Sequence, residues 1–320
     1  MVTLGNEKYS YETTAENWGN LPEGCRYQEA TAVDVDENDN VYVFNRGTHP
    51  MLVFDPDGNV LRSWGTGVFA SPHGITIGPD GMIYCTDNAD HTVRKFTPEG
   101  KLLLTLGEVG KPAAEMSGIP FCRPTHTAID SRDGGIYVAD GYSNARVHKF
   151  APDGKHLFSW GESGTDAGQF NIVHNITTDK DGWVYIADRE NHRIQVFNPD
   201  GKYETQWVGS LARTCCICID TSHELAYVGE LWAGLGTNIT GTNLGPRITI
   251  TDLQGNVLAR LGDQSFGPEP GRFFSPHGIA VDSKGDIYLA EVSYTDPDTG
   301  GSYKDPPIEQ RSMQKFLKKS

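Results

Sequence analysis

Apolar and polar residues alternate through the chain in short runs, and Asp-Gly or similar turns separate the runs. PHGITIGPDGMIYCTDNADHTVRKFTPEGKLLLTLG, starting at Pro72, reads as four short strands. PTHTAIDSRDGGIYVADGYSNARVHKFAPDGKHLFSWG from Pro124 and VHNITTDKDGWVYIADRENHRIQVFNPDGKYETQWVG from Val173 repeat the same order. Period-two alternation bounded by Asp-Gly is the signature of half-buried antiparallel strands joined by tight turns. The repeat length is about 50 residues, within the range of propeller blades.

Three further repeats fit more loosely. One runs from Glu29 through TAVDVDENDNVYVFNRG to Trp64-Gly65. Another starts near Cys215 with CICIDTSHELAYVGE and resumes at ITITDLQGNVLARLG after a long insertion. The last starts at PHGIAVDSKGDIYLAE and ends at MQKFLKK. That final segment matches a third strand, so the last blade lacks a fourth, and KYSYETTAENWG near the N-terminus matches the missing one. The expectation is an all-β, six-bladed propeller forming one domain over residues 1–320. Its blades start near residues 29, 72, 124, 173, 215 and 276, and a strand within about residues 8–19 completes blade 6 and closes the ring. Such closure pairs an otherwise open sheet edge. ADRENHRIQVF, from Ala187 to Phe197, carries the letters of the NHL repeat, with Asn191, His192 and Ile194 expected to support a turn and the third strand.

Composition narrows the functional classes. Gly 37 and Pro 18 suit a turn-rich β fold, and the formal net charge is −15. That balance argues against nucleic acid as a partner, because phosphate binding rests on Lys and Arg. It also offers an anionic membrane nothing to attract. No apolar stretch approaches the roughly 18 residues of a membrane helix, and the N-terminal sequence lacks the basic and apolar regions of a secretory signal. The six cysteines (Cys25, Cys85, Cys122, Cys215, Cys216 and Cys218) form no regular framework. They read mainly as buried free thiols in a cytoplasmic protein. The expected partner is a small-molecule substrate; the oligomeric state is open.

The candidate chemistry lies in one position compared across blades, five residues before the aspartate-like end of the first strand. It holds Glu29, His73, Thr125, His174, Cys215 and His277. In a six-bladed ring alternate blades are related by about a threefold rotation, so His73, His174 and His277 are expected to converge. Three neutral imidazoles suit zinc or another divalent transition metal and leave a position for water or substrate. His126 lies one residue beyond this register and is expected to face away, since strand side chains alternate. His91, His148 and His192 read as structural or exposed.

With these residues assembled, the chain resembles the peptidyl-α-hydroxyglycine α-amidating lyase (peptidylamidoglycolate lyase) family from about Ala32 to Tyr288. The resemblance rests on FNRGTH around Arg46, SPHG around His73 and His277, FCRPT around Cys122, VADGYSN around Tyr142, GQFNIVH ending at His174, and ADRENHRIQVF. It implies zinc on His73, His174 and His277, a catalytic Tyr142 and an active-site Arg46. The implied reaction splits a carbinolamide into a primary amide and glyoxylate. Tyr142 would serve as general base, and Arg46 would either lower its pKa or hold the carboxylate that becomes glyoxylate.

The chain departs from the family at several positions. Gly278 replaces an aspartate of a calcium site, which argues against calcium, and Ser275 replaces a methionine near the metal. Ser143, Tyr185 and Val196 stand where the family has disulfide cysteines, leaving Cys122 without its partner. Insertions at residues 231–246 and 293–312 read either as binding or lid elements for a changed substrate, such as a small α-hydroxylated amide or ureide, or as decoration or an oligomer contact. Two alternatives remain: a metal-dependent hydrolase of an ester, lactone or amide on the same histidines, and a non-catalytic interaction scaffold.

Overall fold

A computed structural model describes residues 1–13, 17–234, 237, 242–262, 266–294 and 311–319. Chain order begins with β1 (Val2–Gly5) and β2 (Ser10–Thr13). Blade 1 follows as β3 (Ala30–Val35), β4 (Val41–Asn45), β5 (Met51–Phe54) and β6 (Val60–Trp64). Blade 2 is β7 (Pro72–Ile77), β8 (Ile83–Asp87), β9 (Thr92–Phe96) and β10 (Leu102–Leu106). Blade 3 is β11 (His126–Ile129), β12 (Ile136–Asp140), β13 (Arg146–Phe150) and β14 (His156–Trp160). Blade 4 is β15 (Val173–Thr178), β16 (Val184–Asp188), β17 (Arg193–Phe197) and β18 (Tyr203–Trp207). Blade 5 is β19 (Arg213–Asp220), β20 (Leu225–Leu231), β21 (Arg247–Asp252) and β22 (Val257–Leu261). Blade 6 adds β23 (Pro276–Val281), β24 (Ile287–Glu291) and β25 (Met313–Lys318).

Each blade is an antiparallel sheet; blades 1 to 5 keep their strands in sequence order, blade 6 runs β23-β24-β25-β2-β1, and the fold is the all-β, six-bladed propeller that the repeats predict. No helix among the described residues is long and apolar enough to cross a membrane. The chain divides into two compact units, Met1–Ser63 with Ser210–Ser320, and Trp64–Gly209.

The first unit holds blades 5, 6 and 1. In blade 6, β25 pairs with β24 on one side and β2 on the other, so the N-terminal strand completes the last blade as expected. The structure adds a fifth strand that the repeat does not foretell, because β1 pairs with β2 from Val2↔Thr13 to Gly5↔Ser10. Trp18, the tryptophan of the N-terminal match, packs 4.9 Å from Tyr288 and 5.2 Å from Phe54, joining the cores of blades 6 and 1.

The second unit holds blades 2, 3 and 4. Its cores form between neighbouring sheets, where Trp160 of β14 reaches Phe197 of β17 at 5.8 Å and Tyr137 of β12 at 6.0 Å. Inner strands are largely buried, while the outermost strands β10, β14 and β18 are mostly exposed or half-buried.

Blade 1 corrects the sequence alignment by two residues. Asp36 Oδ1 accepts from the Asn38 and Asn40 N–H groups, as Asp179 does from Asp181 and Trp183, and Asp282 from Lys284 and Asp286. The turn aspartate of blade 1 is thus Asp36, not Asp34. The residue matching the histidines is Thr31, not Glu29.

Two glycines set how closely inner strands approach. A Cβ on Gly74 would lie 2.6 Å from the Thr125 carbonyl oxygen, and one on Gly278 would lie 2.6 Å from the Ala32 Cα. Both follow a histidine in the sequence PHG. The second contact gives a steric reason for glycine at position 278, since any side chain there meets backbone. Gly278→Ala is expected to destabilise the protein by about 3 kcal/mol, the upper end of overpacking costs. Denaturant unfolding of the variant beside the wild type checks this, and an unchanged midpoint would refute the close-packing account.

Candidate functional site

The histidines owe their orientation to a local irregularity. In blade 2 the pairing runs Pro72↔Asp87 and then Gly74↔Thr86, so His73 is the extra residue of a β-bulge. His174 occupies the same position between Val173 and Asn175, and His277 between Pro276 and Gly278. Bulges bend a strand and re-aim the extra side chain. The irregularity recurs around Thr31 and Cys215, so it belongs to the repeat. The chemistry comes from placing histidine there in three blades.

A polar residue at the end of each second strand fixes the segment ahead of the bulge. Asp87 accepts from the Ala70 and Ser71 N–H groups, Asp188 from Asn171, and Glu291 from Phe274 and Ser275. Asp140 accepts from Cys122, Glu230 from Ala212, and Asn45 takes this place in blade 1, accepting from Glu29.

In the second unit, His73 and His174 are buried and their ligand atoms come within 4.8 Å of one another. His73 Nδ1 lies 2.7 Å from the Thr125 carbonyl oxygen. A carbonyl only accepts, so Nδ1 carries the proton, and Nε2 of the neutral ring presents its lone pair. The Tyr142 hydroxyl lies 2.9 Å from His73 Nε2 and 3.1 Å from His174 Nε2. Gly141 makes that placement possible. A Cβ there would lie 1.8 Å from the Val173 carbonyl oxygen, so glycine lets the loop after β12 press against the strand that carries His174.

His277 belongs to the first unit and repeats the arrangement of His73. It is buried, and its Nδ1 lies 2.6 Å from the Thr31 carbonyl oxygen. Arg46 is in the same unit, where its Nη1 donates to Glu29 Oε2 at 2.8 Å while Glu29 Oε1 accepts from the Tyr294 N–H. Glu29 is therefore an ion-pair partner of Arg46, outside the histidine register. Cys215 does occupy the register and is buried.

Four further histidines stand outside this group. His126 Nδ1 donates to the Thr127 carbonyl, and burial holds its pKa down at about 4. His148 is buried between Asp140 and Ser159, and His192 adopts a left-handed conformation after the short turn Arg189–Asn191. Asn191 donates to Asp188 and the Gly164 carbonyl, and Ile194 is fully buried, as the turn and strand reading requires. His91 accepts from the Arg123 N–H. All six cysteines are free, and burial raises the thiol pKa of Cys85 and Cys216 well up and of Cys218 to about 12.

Two residues escaped sequence reasoning. The guanidinium of Arg123 lies 5.2 Å from the centroid of the Tyr142 ring, and that of Arg189 lies 5.7 Å from it. Arg189 directly follows the clamping residue of blade 4 as Arg46 follows that of blade 1. Comparing this post-strand position across blades would have exposed it. Of the insertions, residues 235–236, 238–241 and 295–310 lie outside the described residues.

The blade topology defines a repeat propeller. The NHL repeat model matches residues 69–96, 121–150 and 170–197. NHL repeat-containing protein 3 of Homo sapiens is 36% identical over 272 residues, covering 80% of this chain and 74% of that protein. The chain belongs to this NHL-repeat family. Peptidyl-alpha-hydroxyglycine alpha-amidating lyase 1 of Drosophila melanogaster is 33% identical over 266 residues, covering 76% of this chain and 47% of that protein. The chain spans about a third of the length of the peptidyl-glycine alpha-amidating monooxygenases it also matches. A streptogramin B lyase structure superposes with a TM-score of 0.60 at 13% identity, covering 99% of this chain and 98% of that one, and shows the fold alone.

The depressed pKa of His126 carries a pH signature. Its unfolded value is near 6.5 and its folded value about 4, so below 6.5 the unfolded chain gains a proton that the folded ring refuses. This contribution to stability is complete above pH 6.5 and is lost as pH falls to 4. Denaturant unfolding at pH 7 and pH 4.5 should show a larger loss for wild type than for His126→Asn. Equal losses would refute the assignment.

Proposed function

We propose that the chain is a metal-dependent carbon–nitrogen lyase that splits an α-hydroxylated amide or ureide into an amide and a carbonyl product such as glyoxylate. The observation that carries the reading is the Tyr142 hydroxyl within hydrogen-bond distance of both His73 Nε2 and His174 Nε2. A tyrosine so placed is suited to moving a proton beside a cation site. The relatives named as amidating lyases support the same chemistry.

In this reading the metal would be held by His73 and His174 of the second unit together with His277 of the first. The donor set fits zinc or a similar divalent ion: imidazoles are its ordinary ligands, and two of the three donate Nδ1–H to a backbone carbonyl, which leaves Nε2 to face an ion. When bound, such an ion supplies Lewis acidity that lowers the pKa of the substrate hydroxyl. Tyr142 takes the hydroxyl proton as general base. The carbon–oxygen bond becomes a carbonyl as the carbon–nitrogen bond breaks, and the proton passes to the departing amide nitrogen. No water is consumed. Arg46, steadied by Glu29, supplies positive charge to the reacting assembly. The free thiols fit a reducing compartment, and we place the protein in the cytoplasm.

The hydrolase reading uses the same histidines but gives Tyr142 no necessary part. It would release a carboxylic acid carrying solvent oxygen where the lyase releases a primary amide. His73→Ala, His174→Ala and His277→Ala should each lower the metal content of purified protein, read by elemental analysis, while circular dichroism stays unchanged. Full metal content in all three would end the proposal. Tyr142→Phe should keep the metal and lose about 100-fold or more in turnover, the usual scale for a general acid–base group. Undiminished turnover would remove Tyr142 from the mechanism.

A further inference from the structure

Arg123 is the group beside Tyr142 that the proposed reaction leaves without a role. It lies just before β11, with a left-handed backbone at φ 62°, and its side chain is exposed. Its backbone is held on both sides: the N–H donates to His91 Nδ1 at 3.1 Å, and the carbonyl accepts from the Tyr142 N–H at 3.4 Å. A non-glycine residue in this conformation persists only where the surroundings impose it. These contacts set the side chain over the phenol ring.

Among the described residues the Arg123 guanidinium makes no side-chain hydrogen bond and no ion pair; its contact is the face of Tyr142. The sequence carries 42 acidic and 27 basic residues, so a carboxylate partner would be easy to supply. Arg189, on the same ring, has one, donating from Nε to Glu190. Stacking fixes the plane of a guanidinium and leaves its edge donors for a ligand, and that fork matches a carboxylate in bidentate fashion.

We propose that Arg123 binds the carboxylate of the substrate and selects for acidic carbinolamides, that is, N-acyl or N-carbamoyl α-hydroxyglycines with a free carboxylate, over neutral ones. The assignment rests on the lyase reading for what happens next, though the anion site itself is independent of it. Arg46 is then relieved of the carboxylate.

The test compares wild type with Arg123→Gln and Arg123→Lys on N-benzoyl-α-hydroxyglycine and its methyl ester, measuring benzamide release. Alongside it, calorimetry follows binding of unreactive N-benzoylglycine, and near-ultraviolet circular dichroism verifies folding. Arg123→Gln should raise KM for the acid about tenfold or more with little change in kcat, the scale of one lost charge-assisted pair. It should leave the ester nearly unaffected and weaken N-benzoylglycine binding to a similar degree. Arg123→Lys should recover part of both, through charge without the fork. If neither compound is cleaved but N-benzoylglycine binds in an Arg123-dependent way, the lyase reading fails and the carboxylate site stands. An acid-to-ester preference that survives Arg123→Gln, N-benzoylglycine binding that is absent or indifferent to it, or a shifted pH profile of kcat with that preference intact would overturn the proposal.

Discussion

The hydrogen bond from a histidine Nδ1 to the carbonyl of the next blade's innermost strand is the constraint on which the candidate site depends. His73 makes it to Thr125, and His277 makes it to Thr31. Because a carbonyl cannot donate, one bond settles both the tautomer and the direction of the ring. It requires neighbouring strands to run very close together. The glycine after each of these histidines permits that approach, with backbone where a Cβ would stand.

The same economy extends outward in the second unit. The bulge turns His174 out of the regular pleat, and Gly141 brings the loop carrying Tyr142 against the strand beside it. Asp87, Asp140 and Asp188 end the second strands of these blades and hold the segments that enter the first strands. Repeat architecture therefore does the positioning, and a few substitutions at equivalent places supply the chemistry. A scaffold and an enzyme of this class can share every strand and differ only at bulge and loop positions.

Much of this was legible in the sequence because the repeat makes equivalent positions comparable. The blade count, the N-terminal strand that completes blade 6 and the three histidines all followed from alignment of Asp-Gly turns and alternating runs. What stayed hidden has physical causes. Asp34 and Asp36 both look like turn aspartates, and only their hydrogen bonds show that Asp36 caps the turn, which moved the blade 1 register to Thr31. A bulge leaves no mark in alternation over so few residues. β1 is a four-residue strand outside the repeat, so nothing announced it. Arg123 and Arg189 are distant in sequence, and only the fold brings each beside the ring of Tyr142.

X-ray absorption at the zinc edge of zinc-loaded protein tests the central claim most directly, since it reads ligand atoms without reference to catalysis. The account predicts three imidazole nitrogens at about 2.0 Å with one further oxygen or nitrogen donor and no sulfur. A shell containing thiolate sulfur at about 2.3 Å, or one built from oxygen without imidazole scattering, would contradict it.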